Sequence, residues 1–294
     1  MRVNLNDVLL PAAEKGYGVG LFNTVNFEMA RGVLQAAQEL RAPVIIGTAE
    51  ILLPYGPLEE LSDMILPMAK KADVPVVVHY DHGLTFEKCV EALKLGFSSI
   101  MYDCSTDSYE ENIRKVKEIT KLAHLFGATV EAELGHVGQA AAGDGRSADM
   151  YTNVNMAVEF IERTGCDALA VAIGTAHGNY PKDFVPKLDF ERLKELKHAV
   201  GNYPLVLHGG SGSGDENFKK AVDGGINKVN LWTDYSAAYV RGLREELATE
   251  ERPDYMLLSR AVESKASDWL RHYMRLFGSS NRYQFGTETL EATD

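Results

Sequence analysis

The stretch VVVHYDHGL, Val76 to Leu84, decides how the rest of the chain is read. Three valines after Pro75 make the start of a buried strand, yet the run ends in His79, Asp81 and His82, with Gly83 directly behind. Interior strands avoid such residues, because an unpaired polar group is costly to bury. Either this polar end sits at a strand's mouth and faces a site, or it is a loop whose chemistry is accidental.

Working outward, seven further segments have the same make-up: YGVGLFN (17–23), PVIIGT (43–48), SSIMYD (98–103), ATVEAELG (128–135), ALAVAIGT (168–175), PLVLHGGS (204–211) and KVNLWT (228–233). Between them lie amphipathic stretches. One places Met29, Val33, Leu34, Ala37 and Leu40 on a helical face, and another Ile113, Val116, Ile119, Leu122 and Leu125. Asn26, Thr85, Thr152, Asp189 and Asp215 stand where helix caps are expected. Strands apolar on both faces that alternate with helices imply a parallel sheet. Eight such units predict an α/β protein, a (β/α)8 TIM barrel, with no linker to divide residues 1–282. An extra amphipathic helix from about residue 255 to 277 is expected to pack on the barrel or on a second subunit. Residues 283–294 read as a polar, acidic, mobile tail.

The formal charge of −12 argues against nucleic acid or an anionic membrane as the main partner. The three cysteines, Cys89, Cys104 and Cys166, are widely spaced and odd in number, which reads as reduced thiols in a cytoplasmic protein. Asp7 and Pro11 interrupt the region where a signal peptide needs an apolar run, and no stretch approaches membrane-spanning length.

In a barrel of this kind, chemistry collects at the C-terminal ends of the strands. His79, His82, His136, His177 and His208, five of the eight histidines, fall at or just beyond those ends. A lone strand-end histidine is more often a hydrogen-bonded structural residue, and His79 and His136 suit that description. His82, His177 and His208 together favour a metal site, because three imidazoles with one open position form a common catalytic zinc set. Asp103, Glu131 and Glu133 read either as inward residues paired to a cation, such as a lysine, or as ligands of a second ion. The loops HGGSGSG (208–214) and GTAHGNY (174–180) let backbone N–H groups approach an anion, as a phosphorylated ligand requires.

These residues resemble the class II, zinc-dependent fructose-bisphosphate/tagatose-bisphosphate aldolases. The resemblance is carried by PVVVHYDHG (75–83), VEAELGHVG (130–138), DALAVAIGTAHGNY (167–180), LVLHGGSG (205–212) and KVNLWTD (228–234), and extends to FGSSNR (277–282). It implies that His82, His177 and His208 bind zinc and that Asp81 transfers the proton at the aldehyde-derived hydroxyl. It implies that Gly178, Gly209, Gly210, Ser211, Asn230 and Thr233 hold dihydroxyacetone phosphate, with Asn23, Leu231 and Trp232 beside them on the substrate. Asp103 and Glu133 match residues near the metal, where a displaced or second ion sits, and the Gly178 and Gly209 loops match a site for a monovalent cation, Na⁺ or K⁺. The implied reaction is reversible retro-aldol cleavage of a ketose 1-phosphate or 1,6-bisphosphate, the metal stabilising the enediolate charge as a Lewis acid. The expected partners are a small phosphorylated sugar and further copies of the chain, as a homodimer or homotetramer.

Three other readings compete with this one. A Schiff-base aldolase needs a desolvated lysine near a strand's reactive end, and Lys228 is read as opening its strand at the opposite end. A zinc amidohydrolase would show His-x-His on its first strand and a bridging lysine, neither of which is present. A noncatalytic sugar-phosphate-binding barrel, or a family member acting on a different keto substrate, is compatible with the motifs.

The chain departs from the family in three places. The loop GHVGQAAAGDGRSADMYT (135–152) lacks the acidic cluster of relatives and leaves Asp144 as the substitute carboxylate. Asn230-Leu231-Trp232-Thr233 puts an indole where relatives carry a small residue. YDCSTD (102–107) replaces a usual IDGSH. The expectation is an aldolase that keeps the dihydroxyacetone phosphate half and takes an altered aldehyde, with Arg260 and Arg282 as candidates to meet a second phosphate.

Overall fold

The computed structural model describes residues 1–138, 150–178, 180, 186–249 and 254–283. Each of the eight expected segments forms a strand: β2 (Val19–Asn23), β3 (Val44–Ala49), β4 (Val76–Gly83), β5 (Ser99–Tyr102), β6 (Thr129–Leu134), β7 (Ala168–Val171), β8 (Leu205–Leu207) and β9 (Ile226–Asn230). All pair in parallel with their sequence neighbours, and β9 pairs back to β2 through Val19↔Lys228, so the sheet closes. Helices run between the strands, consistent with a (β/α)8 barrel.

A short strand before these, β1 (Arg2–Val3), was not expected from the sequence. It pairs with Val76 and Val77 at the start of β4, and β5 joins β4 only from His79 onward. The helix behind it, α1 (Leu5–Lys15), turns Leu5, Val8, Leu9 and Ala12 into the N-terminal end of the barrel. There they meet Val19, Leu21, Ile45, Val77 and Val206, the inward residues of the lower strands. The alternate residues, among them Phe22, Ile46, Val78, Val130 and Leu207, face outward into the layer under the helices.

The amphipathic faces fold as read, with one exception. In α5 (Tyr109–Leu125), Ile113, Val116 and Ile119 are buried but Leu125 is 85% exposed. A strict three-residue spacing drifts off a 3.6-residue helix, so Leu125 stands about 120° round from Ile113, and Ala123 takes the buried place. Asn26, Thr85 and Asp189 cap their helices by accepting from the amides of Met29, Lys88 and Arg192. Thr152 does not: Asn153 caps α6 (Val154–Thr164), while the buried Thr152 hydroxyl links Leu134 O and the Ala172 amide. Asp215 lies inside the first turn of α8 (Asp215–Asp223), after Gly214. The expected C-terminal helix is present as α10 (Tyr255–Leu276), packed on α2 (Phe27–Glu39) and on α9 (Thr233–Thr249). No helix among the described residues is long and apolar enough to cross a membrane. The tail expected beyond Tyr283 lies outside the described residues.

Candidate metal centre and active site

The inward columns of the barrel change character as they rise. On β4 the column reads Val77, His79, Asp81; on β6, Glu131, Glu133; on β8 and just past it, Val206, His208; on β9, Lys228, Asn230. Strand alternation alone would turn His82 outward, away from Asp81. Instead the β4–β5 register shifts between Tyr80 and Gly83, and His82 takes φ +43°, a left-handed conformation uncommon for a residue with a Cβ. The cost, on the order of 1–3 kcal/mol, brings two consecutive side chains to one site. Gly83 makes the bend feasible, since a Cβ there would stand 2.4 Å from Cys89 Sγ and 2.8 Å from Met101 O.

His82, His177 and His208 converge. A nitrogen from each lies within 4.8 Å of the others, and the ring centroids are 4.5–5.9 Å apart. His82 Nδ1 meets Asp103 Oδ2 at 2.8 Å, and His208 Nε2 meets Glu131 Oε1 at 2.7 Å. An ionised carboxylate only accepts, so these two ring nitrogens carry the hydrogens. The remaining nitrogens, His82 Nε2 and His208 Nδ1, then point lone pairs at each other across 2.8 Å. Two bare lone pairs at that distance repel, so a proton lies between them when no cation holds the rings. Carboxylates behind the rings are also the usual means of fixing a metal-binding tautomer. A divalent ion therefore fits this donor set.

Without an ion, His82 carries the proton that lies between the two rings. Burial alone would lower the His82 imidazole, but Asp81 and Asp103 push it up to about 9. Burial and the neighbouring His82 hold His177 down at about 3, and lower His208 as well. Two of the three rings are thus neutral, the form that binds metal. Burial would raise Asp81, but His82, His79 and Lys228 outweigh it and hold the carboxyl well below the usual range. Asp81 accepts from Asn23 Nδ2 at 2.8 Å and from Asn230 Nδ2 at 2.9 Å. Glu133, buried beside Asp103, is pushed up to about 8. His82, Asp103 and Glu133 form a second cluster of potential ligands, and His79, Asp81 and Glu131 a third.

A cavity of about 490 Å³ opens over this centre. Asn23, Asp81, His82, Asp103, His177 and Asn230 line it, together with Gly178, Gly209, Gly210, Ser211 and Thr233. Gly209 has φ +64°, and a Cβ there would lie 2.6 Å from the Ala176 carbonyl carbon. α9 starts at Thr233 and is joined to the glycine loop through Asp234 N to Ser211 Oγ and Gly212 N to Asp234 Oδ2. A helix N-terminus beside a glycine loop that lines a cavity suits an anion.

Other candidates fall elsewhere. Trp232 lines the cavity, whereas Leu231 is fully buried in the layer beneath the helices. Arg260 is exposed on α10 and is not part of the cavity wall. Arg282 stacks its guanidinium over Tyr17, 4.6 Å from the ring centroid, just ahead of β2. That is the N-terminal end of the barrel, so within this chain Arg282 does not meet the site. Asp144 lies outside the described residues. Sequence reading missed the apolar wall of Ile51, Leu52, Leu84 and Val137, which nothing but the folded loops brings together. It also misplaced Lys228, which is fully buried inside the barrel, one inward position below Asn230 and 2.8 Å from Glu131. Of the two residues read as structural, His79 is tied to Ser99, while His136 lines the cavity.

Parallel barrel, convergent histidines and glycine-lined cavity define a (β/α)8-type barrel with a group of potential metal ligands at its mouth. Residues 3–282 match the family described as fructose-bisphosphate aldolase class-II, and the chain belongs to that family. It is 40% identical over 92% of its length to the Escherichia coli K12 protein YdjI, of which 95% is covered. The crystal structure of the YdjI aldolase superposes with a TM-score of 0.86 at 38% identity, covering 97% of this chain and all of that one. A fructose-bisphosphate aldolase of Helicobacter pylori strain 26695 is 36% identical, covering 96% of this chain and 100% of that protein.

Proposed function

We propose that the protein is a metal-dependent aldolase that cleaves and forms a ketose 1-phosphate or 1,6-bisphosphate, yielding dihydroxyacetone phosphate and an aldehyde. The observation that carries this reading is the pair of opposed imidazole nitrogens, His82 Nε2 and His208 Nδ1, each ring fixed from behind by a carboxylate. His82, His177 and His208 would hold zinc, which suits three imidazoles and an open position. Bound there, the ion supplies Lewis-acid stabilisation of the charge left on the ketose fragment when the C–C bond breaks.

The chain's own groups do the rest. Asp81, kept ionised and aimed by Asn23 and Asn230, takes the proton from the hydroxyl on the aldehyde-side carbon of the breaking bond and returns it to the aldehyde oxygen in condensation. The Gly178, Gly209, Gly210, Ser211 and Thr233 side binds the phosphate, away from the reacting carbons. Trp232, Ile51, Leu52 and Leu84 bound the remaining space, and no lysine or arginine among the described residues lines it. That supports an aldehyde half different from glyceraldehyde 3-phosphate. Val240, Leu243 and Leu247 on α9 and Tyr255, Met256 and Leu257 on α10 are exposed, which supports assembly as a homodimer or homotetramer.

The test is a retro-aldol assay over a panel of ketose 1-phosphates and 1,6-bisphosphates, with and without chelator, followed by condensation with several aldehydes. Expected are turnover abolished by chelation and restored by zinc, and a preferred acceptor other than glyceraldehyde 3-phosphate. Chelator-insensitive turnover with inactivation by borohydride plus substrate would sink the metal reading. Binding without turnover would favour a sugar-phosphate sensor.

A further inference from the structure

Lys228 is a fully enclosed charge inside the barrel, its ammonium 2.8 Å from Glu131 Oε2, 3.1 Å from Glu131 Oε1 and 2.7 Å from Asn230 Oδ1. An ammonium has only hydrogens to offer. The atom of Asn230 that faces it must therefore be the carbonyl oxygen. That choice turns Asn230 Nδ2 toward Asp81 Oδ1 at 2.9 Å and toward His208 Nδ1 at 3.2 Å. On the other arm, Glu131, held by Lys228, receives the hydrogen of His208 Nε2. Both arms give the same instruction to His208: hydrogen on Nε2, lone pair on Nδ1. One arm also aims the amide at Asp81.

We infer that Lys228 is the positioning residue of the site, orienting the ligand His208 through Glu131 and the proton carrier Asp81 through Asn230. It touches neither substrate nor metal, since Asn230 stands between it and the cavity. The inference rests on the metal-dependent reading above. It also accounts for a buried lysine in an aldolase barrel without a Schiff base, because this amine is committed to a carboxylate and an amide.

Removing one member of a buried ion pair strands the other charge, so Lys228→Met alone would confuse loss of fold with loss of positioning. The informative variant is Lys228→Met/Glu131→Gln, which removes both charges and keeps an acceptor for His208. Glu131→Gln by itself keeps the shape and an acceptor for His208 but faces Lys228 with an NH₂ donor, which the lysine meets as the neutral amine, and it carries the test if the double variant does not fold. Each would be purified as the Co²⁺ form, with metal affinity measured by chelator competition, the visible Co²⁺ spectrum recorded, and kcat and KM taken at saturating metal. Expected are a roughly ten- to hundredfold loss of metal affinity and a changed Co²⁺ spectrum in either variant. In the double variant kcat also falls about tenfold or more at saturating metal, with KM little changed. Parental affinity, spectrum and kcat in a folded variant would overturn the inference, as would borohydride trapping of substrate on Lys228. A parent protein that binds no Co²⁺ or Zn²⁺ would instead sink the metal reading on which it rests.

Discussion

Two residues up β4 and β8, from Val77 to His79 and from Val206 to His208, the interior of this barrel changes from a hydrocarbon core to a charged network. Below, Leu21, Ile45, Val77 and Val206 pack against Leu5, Val8 and Leu9 of α1, and every group is satisfied by contact alone. Above, His79, Asp81, Glu131, His208 and Lys228 are just as deeply buried, yet each needs a particular partner at hydrogen-bond distance. The strands are the same, so backbone geometry does not distinguish the halves. What differs is tolerance. A hydrocarbon layer accepts any filling of the right volume, whereas a buried polar network fails when one member is lost. The lower half should carry stability and the upper half chemistry.

The sharpest way to break this division is Asp81→Asn. The change keeps the shape and removes the proton acceptor, so kcat should fall about 10²- to 10⁴-fold. Affinity for added Zn²⁺, measured by chelator competition, should change by only a few fold. A loss of activity below tenfold would mean that another group moves the proton.

A smaller effect of the opposite kind is expected from Leu21→Ala, in the lower layer. Truncating a fully buried leucine should cost about 2–5 kcal/mol of unfolding free energy by denaturant titration. Activity per folded molecule should be retained, because the site is built on the residues above. If zinc affinity fell in step with stability, the two halves would not be separable.

This division also explains what could be read before folding. Apolar runs with a helical interlude are local patterns, and all eight barrel strands were visible that way. The convergence of His82, His177 and His208 was legible because strand ends in such a barrel share one face. The bend at His82 was not, since alternation assigns that residue outward and only the register shift against β5 reverses it. Lys228 was misread for a related reason. It stands early in its segment, but β9 begins at Ile226, so its side chain lies inside the barrel one inward step below Asn230. Glu131, 97 residues earlier, supplies its partner, and no short-range pattern announces so distant a pair. β1 was missed because two residues are too few for any periodicity to show.

The smallest effect should come from Arg282→Ala, and it tests whether the lower end of the barrel is functionally silent. In sequence, an arginine just past FGSS reads as a candidate for a second phosphate; in the fold it caps Tyr17 at the N-terminal end and donates from Nε to Gly278 O at 2.8 Å. Losing an exposed cation–π contact should cost about 0.5–1 kcal/mol. KM for every phosphorylated ketose that the protein turns over should stay within twofold of the parent. A KM that rose tenfold or more for bisphosphates while holding for monophosphates would show that Arg282 reaches the site of another copy of the chain, and the boundary between a structural and a chemical half would then run between subunits, not across one barrel.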